Sequence, residues 1–282
     1  MRINLIKAKT VLIKSGLPAA DWVINPYNGC LFGCMYCYAA QIGRFKHPNE
    51  EWGSYLDVKI NAPELLKIEL EKLYKKFNKK DFGSIFFSSV TDPYLGLEAK
   101  YQLTRKSLKI LVYFGYQGKI SILTKSPLLM RDIDLFKKFK NIEIGMTITS
   151  LNDKICRFLE VKAPPVSLRL KALEKLAKEK ILTYAFVGPI LPYFVDNEIE
   201  LKKIIDKLEE IGVKKIWFEQ INLSKKIKQR LFNYLKIHSP NLIPYFEKTK
   251  TNNYQQKLNK IIYRLMKRRK IKMAFNKIIK HK

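Results

Sequence analysis

The sequence predicts an α/β fold in which parallel strands form an open, partial (β/α)6 barrel. Short apolar segments alternate with longer segments whose apolar residues recur at helical spacing, which is typical of βαβ units. About six such units can be counted, fewer than the eight of a complete TIM barrel. Because crossovers between parallel strands are right-handed, the sheet is expected to curl in one direction. Nearly half of the 282 residues are apolar, enough to bury a sizeable core.

The predicted elements follow one another along the chain. Strands are predicted where short runs are rich in Ile, Phe and Val, namely at Asp21–Ile24, Ser84–Val90, Lys119–Thr124, Ile142–Thr149, Leu182–Val187 and Val213–Gln220. Helices are predicted where apolar residues recur every three or four positions, namely at Ala62–Phe77, Thr104–Tyr113, Met130–Phe139, Ser167–Glu179 and Asn197–Ile211. In open sheets of this kind, ligands bind at the carboxyl ends of the strands.

The chain is strongly basic, with a formal net charge of +29. One interpretation is a nucleic-acid partner, and the other is a general bias towards lysine, since 44 of the 54 basic residues are Lys. Thr249–Lys282 has no acidic residue, includes the run Lys267-Arg268-Arg269-Lys270, and carries apolar residues at helical spacing. We therefore predict a core domain at 1–245 and a basic extension at 246–282, which forms either an amphipathic helix or a disordered tail.

The sequence shows no apolar stretch long enough to span a bilayer, and its first twenty residues do not resemble a signal peptide. A cytoplasmic protein with no membrane partner is expected.

Three cysteines form the most informative motif. Cys30, Cys34 and Cys37 follow the C-x3-C-x2-C spacing, with glycines at 29 and 33. Three thiolates on one loop can ligate three irons of a 4Fe–4S cluster, which leaves the fourth iron open to a small molecule. A Cys3His zinc site with His47 as the fourth ligand is the alternative. The fourth cysteine, Cys156, is expected to be an ordinary buried side chain.

This spacing, with an aromatic residue before the third cysteine, resembles the signature of the radical S-adenosylmethionine (SAM) superfamily. The resemblance implies a partial (β/α)6 barrel in which SAM chelates the open iron. One electron from the cluster then breaks the S–C5′ bond of SAM and yields methionine and a 5′-deoxyadenosyl radical. It also implies that Tyr36 lies beside the adenine.

Further stretches between Lys7 and Pro192 resemble the SplB-type branch, which is related to spore photoproduct lyase. They are Asn25-Pro-Tyr, Tyr38-Ala39, Trp52-Gly53, Val58-Lys-Ile-Asn61, Val90-Thr-Asp-Pro-Tyr94, Glu98-Ala-Lys-Tyr-Gln-Leu-Thr-Arg105, Thr124-Lys-Ser-Pro127 and Arg131-Asp-Ile-Asp134. Cofactor-binding residues are expected at the ends of three successive strands. The SAM ammonium is expected to contact the hydroxyls and the carboxylate of Ser88, Ser89, Thr91 and Asp92. The SAM carboxylate is expected to contact the amine of Lys125. The hydroxyls of Thr147 and Thr149 are expected to contact the ribose or the carboxylate.

The sequence departs from spore photoproduct lyase at one telling place. The cysteine of that enzyme that returns a hydrogen atom to the product corresponds to Ser88 or Ser89 here, and a hydroxyl is a much poorer hydrogen-atom donor. Tyr36 and Tyr38 remain as candidate catalytic relays, and a substrate other than a thymine dimer is predicted.

The expected partners are an electron donor such as flavodoxin or ferredoxin, and nucleic acid bound through the basic C-terminus. A substrate that is a small molecule or peptide stays open. The rival hypothesis is a nucleic-acid-binding protein whose cysteine loop holds a structural zinc ion or a fully ligated iron–sulfur cluster.

Overall fold

The computed structural model describes residues 1–281 and contains eleven strands and eleven α-helices in that range. The strands are β1 (Arg2–Ile6), β2 (Leu12–Lys14), β3 (Trp22–Ile24), β4 (Tyr27–Asn28), β5 (Tyr55–Lys59), β6 (Ile85–Phe87), β7 (Ile120–Thr124), β8 (Ile142–Thr147), β9 (Leu182–Ile190), β10 (Lys215–Gln220) and β11 (Lys272–Ile279). The helices are α1 (Ala39–Gly43), α2 (Ala62–Phe77), α3 (Glu98–Tyr101), α4 (Leu103–Phe114), α5 (Ile133–Phe136), α6 (Asp153–Leu159), α7 (Val166–Lys178), α8 (Glu198–Glu210), α9 (Lys225–His238), α10 (Ile243–Glu247) and α11 (Asn252–Met266). Within residues 1–281, none of the helices is both long enough and apolar enough to cross a membrane.

The main sheet confirms the predicted α/β class and the partial-barrel arrangement. Its eight strands lie in the order β2-β3-β6-β7-β8-β9-β10-β11, and all neighbours are parallel except β2 and β3. The six strands predicted from the sequence are β3 and β6–β10, and they are consecutive in space. Since they are parallel, the loops that follow them meet at one edge of the sheet.

The core lies between this sheet and the helices that connect its strands. Every residue of β8 is buried, and α4 contributes Leu108 and Leu111 with no exposed surface. The helix α2 matches its predicted bounds, beginning beside Pro63, which a first helical turn tolerates, and ending at Asn78 in the left-handed conformation.

Two features differ from the sequence expectations at the N-terminal side. The strand predicted at Ser84–Val90 ends at Phe87, because Ser88 has a φ of +66° and turns the chain out of the sheet. A second sheet, β1-β5-β4, was not predicted. It pairs Arg2–Ile6 with residues more than fifty positions away, and periodicity within one segment carries no signal for such pairing.

The part of the basic extension that the structure describes, residues 246–281, contains regular secondary structure, so the disordered-tail alternative is wrong there and the helical one is confirmed by α11. The extension also adds β11 to the main sheet, parallel to β10, which the sequence did not indicate. Arg269 forms ion pairs of 2.6 Å with Asp206 and 3.0 Å with Glu209 of α8, while Arg264 pairs with Glu198. The domain boundary at residue 245 stays a prediction, and the shared sheet links its two sides closely.

Candidate active site at the carboxyl edge of the sheet

The cysteine loop follows β3 and the short strand β4, and it folds tightly. Cys30 and Cys34 are buried and Cys37 is partly exposed. Gly29 has a φ of +86°, and a Cβ atom there would lie 2.7 Å from the ring of Tyr55. Gly33 packs on Gly53 so closely that a Cβ on Gly53 would lie 2.8 Å from the Gly33 Cα. The glycines of the motif are therefore needed for the path of the loop.

Hydrogen bonds from the neighbouring strand ends hold this loop in place. The Thr91 hydroxyl, after β6, donates to the Gly29 carbonyl. The Met35 amide donates to the Leu159 carbonyl at 2.8 Å, at the end of α6. The loop is thus fixed to two connections that belong to the same edge of the sheet.

The positive charges beside the three thiols suit a cluster whose ligands are thiolates. Burial raises the pKa of Cys30 and Cys37, and raises the pKa of Cys34 to about 12. The positive charge of Lys125 lowers the pKa of Cys34 and of Cys37 against this effect of burial, and the charge of Arg230 also lowers the pKa of Cys37. Buried thiols with cations beside them are expected to lose their protons when iron binds, since the thiolate is the ligand. The donor set fits a cluster held by three cysteines.

The structure gives no support to His47 as the fourth ligand of a Cys3His zinc site, because its ring nitrogens have other partners. Its Nδ1 bonds to Glu50 at 2.8 Å, its Nε2 bonds to Asp57 at 2.9 Å, and its ring stacks on Tyr55. Both ring nitrogens are therefore engaged. Within residues 1–281, no three His, Cys, Asp or Glu side chains, the three cysteines included, form a group arranged to hold a metal ion.

The segment after β6 brings its four predicted residues to the cysteine loop. Ser88 Oγ is buried and has no hydrogen-bond partner among residues 1–281, which makes it a donor and acceptor for a ligand. The Ser89 amide donates to the Asn25 side chain at 3.0 Å. Asp92 is buried and accepts from the Thr124 hydroxyl at 2.5 Å, and its burial raises its pKa. Thr91 contacts the loop as described above.

The next two strand ends meet the same loop. Lys125 follows β7, and its amine lies 5.6 Å from the centre of the Tyr36 ring. Burial lowers the pKa of Lys125, but the charges of Cys34 and Glu160 outweigh burial and raise it. Thr147 ends β8 and Thr149 follows two residues later, and both are buried.

Glu160 is the hub that joins these strand ends to the cysteine loop. It accepts hydrogen bonds from the Tyr36 hydroxyl and, at 3.0 Å, from Thr149 Oγ1. It also pairs with Arg169, whose Nη1 donates to the Thr147 carbonyl at 3.1 Å. Burial raises the pKa of Glu160, but the charge of Arg169 and these hydrogen bonds outweigh burial and hold the pKa below its usual value.

The two candidate relay tyrosines have engaged hydroxyls. That of Tyr36 donates to Glu160, and that of Tyr38 donates to the carbonyl of Ser89. Both side chains lie at the cysteine loop, where a relay would be needed, and their catalytic roles stay predictions. Cys156 is buried, and its sulfur lies 3.5 Å from Thr149 Oγ1.

Sequence reasoning missed Glu160, Arg169 and Arg230. Arg230, on α9, donates through Nε to the Met35 carbonyl at 3.2 Å and through Nη2 to the Cys34 carbonyl. It is nearly two hundred residues from the loop, and no local pattern marks it. Of these, only Arg169 carries a weak signal, since it is a charged residue on the otherwise apolar face of α7.

Several charged residues of the resembling motifs form a support beneath the site. Arg131 bridges Glu98 and Asp132, each at 2.8 Å, and both carboxylates have no exposed surface. Glu98 accepts from the Tyr27 hydroxyl, and Asp132 accepts from Tyr94 at 3.1 Å. This network fixes the turn after β6 to the strand end that precedes the cysteines.

Comparison with known proteins gives three kinds of match. The Radical SAM superfamily model matches residues 24–208. An uncharacterised protein of Methanocaldococcus jannaschii is 39% identical over 198 residues, which cover 70% of this chain and 71% of that protein. The radical SAM Nα-GlyT isomerase of Pseudomonas phage M6 is 24% identical over 194 residues, covering 67% of this chain and 37% of the isomerase.

Among solved structures, spore photoproduct lyase in complex with dinucleoside spore photoproduct superposes with a TM-score of 0.73. The match covers 96% of this chain and 81% of the lyase at 16% identity, so it establishes a shared fold. The matched span begins at the end of β3 and includes the cysteine loop and the strand ends that meet it. With the fold, the loop and the family model in agreement, the chain belongs to the radical SAM superfamily.

Proposed function

We propose that the protein reductively cleaves SAM at a 4Fe–4S cluster held by Cys30, Cys34 and Cys37. One observation carries the proposal: two buried thiols and one partly exposed thiol share a glycine-bearing loop at the edge of the sheet where Ser88 and Lys125 also lie. When bound, the cluster supplies one electron to SAM, which divides into methionine and a 5′-deoxyadenosyl radical. A flavodoxin or ferredoxin is proposed as the electron donor, and the cytoplasm as the location.

The residues at the strand ends hold SAM in this proposal. Lys125 offers a partly exposed positive charge for the SAM carboxylate, and its amine lies close to the Tyr36 ring of the loop. Ser88 Oγ offers a hydrogen-bond acceptor for the SAM ammonium, since its own hydroxyl has no partner within residues 1–281. Asp92 adds a negative charge beside it, with Ser89 and Thr91 on the same turn. Thr147 and Thr149 are proposed to contact the ribose or carboxylate from the neighbouring strand end.

The test is anaerobic formation of 5′-deoxyadenosine. The protein is reconstituted with iron and sulfide, given SAM and dithionite, and the products are separated by chromatography. Product is expected from the wild type and from Cys156→Ala, and none from Cys34→Ala. Absence of product in the wild type, with zinc in the purified protein, would overturn the proposal and favour a structural metal site.

We further propose that the substrate is a nucleic acid. The net charge of +29 supports a polyanionic substrate. Spore photoproduct lyase, which shares this fold, has a solved structure in complex with dinucleoside spore photoproduct. The loop after β9 exposes half of Tyr193, whose ring lies 4.8 Å from that of Tyr245, and the Lys248 amine lies 4.7 Å from the Tyr245 ring. Exposed tyrosines beside a cation suit the stacking of a base and contact with its phosphate.

The basic extension contributes charge but is not removable as a tail. Deleting Thr249–Lys282 would take β11 from the sheet, so a deletion would test folding as well as binding. Among residues 1–281, the side chains of Lys267, Arg268 and Lys270 are exposed and form no ion pair. Replacing these three by Gln is the appropriate test of their contribution.

Fluorescence anisotropy with a labelled single-stranded oligonucleotide measures the binding. We expect affinity to fall steeply with added salt, because cation release dominates phosphate binding. Tyr193→Ala should weaken binding by about 10-fold, as the loss of one stacked base costs about 1–3 kcal/mol. Replacing the exposed Tyr113, on the outer helix α4, by Ala is the matched control. Absent or salt-independent binding would favour a small-molecule or peptide substrate.

A further inference from the structure

Arg230 reaches the cysteine loop from a part of the chain beyond the matched family span, which ends at residue 208. It lies in the middle of α9, which is fixed to the rest of the site at two other points. Ser224, just before α9, accepts a hydrogen bond from Gln41 of α1, and Tyr234 donates to the Phe158 carbonyl at 2.8 Å. The guanidinium therefore lies on a helix that two further hydrogen bonds hold against the site.

The hydrogen bonds of the guanidinium are incomplete. Nε and Nη2 donate to the carbonyls of Met35 and Cys34, but Nη1 is buried and has no partner among residues 1–281. A buried N–H of a charged group without an acceptor is costly, so an acceptor is expected in the assembled protein. A planar guanidinium can donate from all three nitrogens at once, whereas a lysine amine cannot adopt this fork.

The acceptor that we expect for Arg230 Nη1 is a sulfur atom. Burial lowers the pKa of Arg230, and the electrostatic interaction of its guanidinium with Cys37 and Cys34 opposes this effect. Cys34 and Cys37 are the proposed cluster ligands, and Arg230 donates to the backbone carbonyls of Cys34 and Met35 between them. Hydrogen bonds to cluster sulfurs and nearby charge are among the factors that set the reduction potential of such clusters.

We propose that Arg230 Nη1 donates a hydrogen bond to a sulfur of the iron–sulfur cluster and that its charge raises the cluster's reduction potential. Arg230 acts as a positioning and tuning residue. It holds the loop through two carbonyls, and it favours the uptake of the single electron that the donor protein, or dithionite in the assay, supplies. The inference rests on the proposed cluster.

The experiment compares the midpoint potential of the reconstituted cluster in the wild type, Arg230→Met, Arg230→Lys and Lys228→Met. Lys228 is the matched control, because it lies on the same helix but pairs with Glu247 at 3.0 Å. The potential is obtained by redox titration monitored by electron paramagnetic resonance (EPR), with iron counted per chain. We expect a more negative potential in Arg230→Met, a smaller shift in Arg230→Lys, and the wild-type value in Lys228→Met.

A second readout distinguishes the hydrogen bond from a purely structural role. Pulsed electron–nuclear double resonance in H2O and D2O should show an exchangeable proton coupled to the reduced cluster, and that coupling should be lost in Arg230→Met and Arg230→Lys. Wild-type potentials in variants that hold wild-type iron would overturn the inference. If Arg230→Met does not retain iron, Arg230→Lys decides: an unchanged potential and proton coupling would overturn it. Failure of the wild type to assemble any cluster would instead reject the proposed function.

Discussion

Replacing Arg169 by methionine is expected to destabilise the protein severely, because it leaves the Glu160 carboxylate buried without its counter-ion. Each side chain of this ion pair is only 1% exposed. Removing one partner of a buried pair costs about 3–5 kcal/mol. We expect the lower end of this range, about 3 kcal/mol, because Tyr36 and Thr149 still donate to Glu160. With an unfolding entropy of about 2.1 cal/mol/K per residue, the 282-residue chain should lose about 5 °C in Tm.

Differential scanning calorimetry of the metal-free protein measures this loss. Arg157→Met is the control, since Arg157 is exposed on the adjacent α6, and we expect it to change stability by less than about 0.5 kcal/mol. The double variant Glu160→Gln/Arg169→Met should recover part of the loss, because a neutral amide still accepts from Tyr36 and Thr149. A Tm of Arg169→Met within about 1 °C of the wild type would refute the assignment of Glu160 as a charged hub.

Three further predictions concern the cofactor residues and the buried histidine. Ser88→Gly relieves a positive φ and should raise the free energy of unfolding by about 1 kcal/mol while weakening SAM binding, both measured by calorimetry. The control Asn78→Gly, at a φ of +50°, should leave SAM binding unchanged. Lys125→Met should weaken SAM binding to the reconstituted protein by about 10-fold or more. Lys119→Met, at the opposite end of β7, should not weaken it. Equal SAM affinities of the wild type and Lys125→Met would remove Lys125 from the SAM site. Burial lowers the pKa of His47, but Asp57 and Glu50 outweigh burial and raise it. Its stabilising contribution is therefore present below the ordinary value of 6.5 and is lost as pH rises through the folded-state pKa. Chemical denaturation should thus show a larger stability difference between the wild type and His47→Gln at about pH 6 than at about pH 9.

The sequence predicted those parts of the fold that local patterns encode. The strands β3 and β6–β10 and the helix α2 were predicted because apolar periodicity is a property of a single segment. The sheet formed by β1, β5 and β4 depends on pairing between distant segments, and β11 has only two buried residues, Ala274 and Ile278, among exposed ones. Its basic, mostly exposed sequence resembles a tail, and only the neighbouring β10 gives it a structure.

The candidate site was predictable to the extent that its residues lie in one motif or at a predicted strand end. The parallel sheet brings Ser88, Lys125 and Thr149 to the cysteine loop because each follows a strand of the same direction. Glu160 and Arg230 were not predictable in this way. Glu160 directly follows α6 and Arg230 lies on α9, both far along the chain from the loop, and their role depends on tertiary contacts that no spacing encodes.

The most direct measurement is the effect of SAM on the EPR spectrum of the reduced cluster. In the proposed function Cys30, Cys34 and Cys37 supply three ligands, and His47 is engaged by Asp57 and Glu50, so one iron should remain open to SAM. We predict about four irons per chain and a spectrum that changes when SAM is added, with the cluster lost in Cys34→Ala and retained in Cys156→Ala. A cluster whose spectrum ignores SAM, or a purified protein that holds zinc in place of iron, would contradict the assignment.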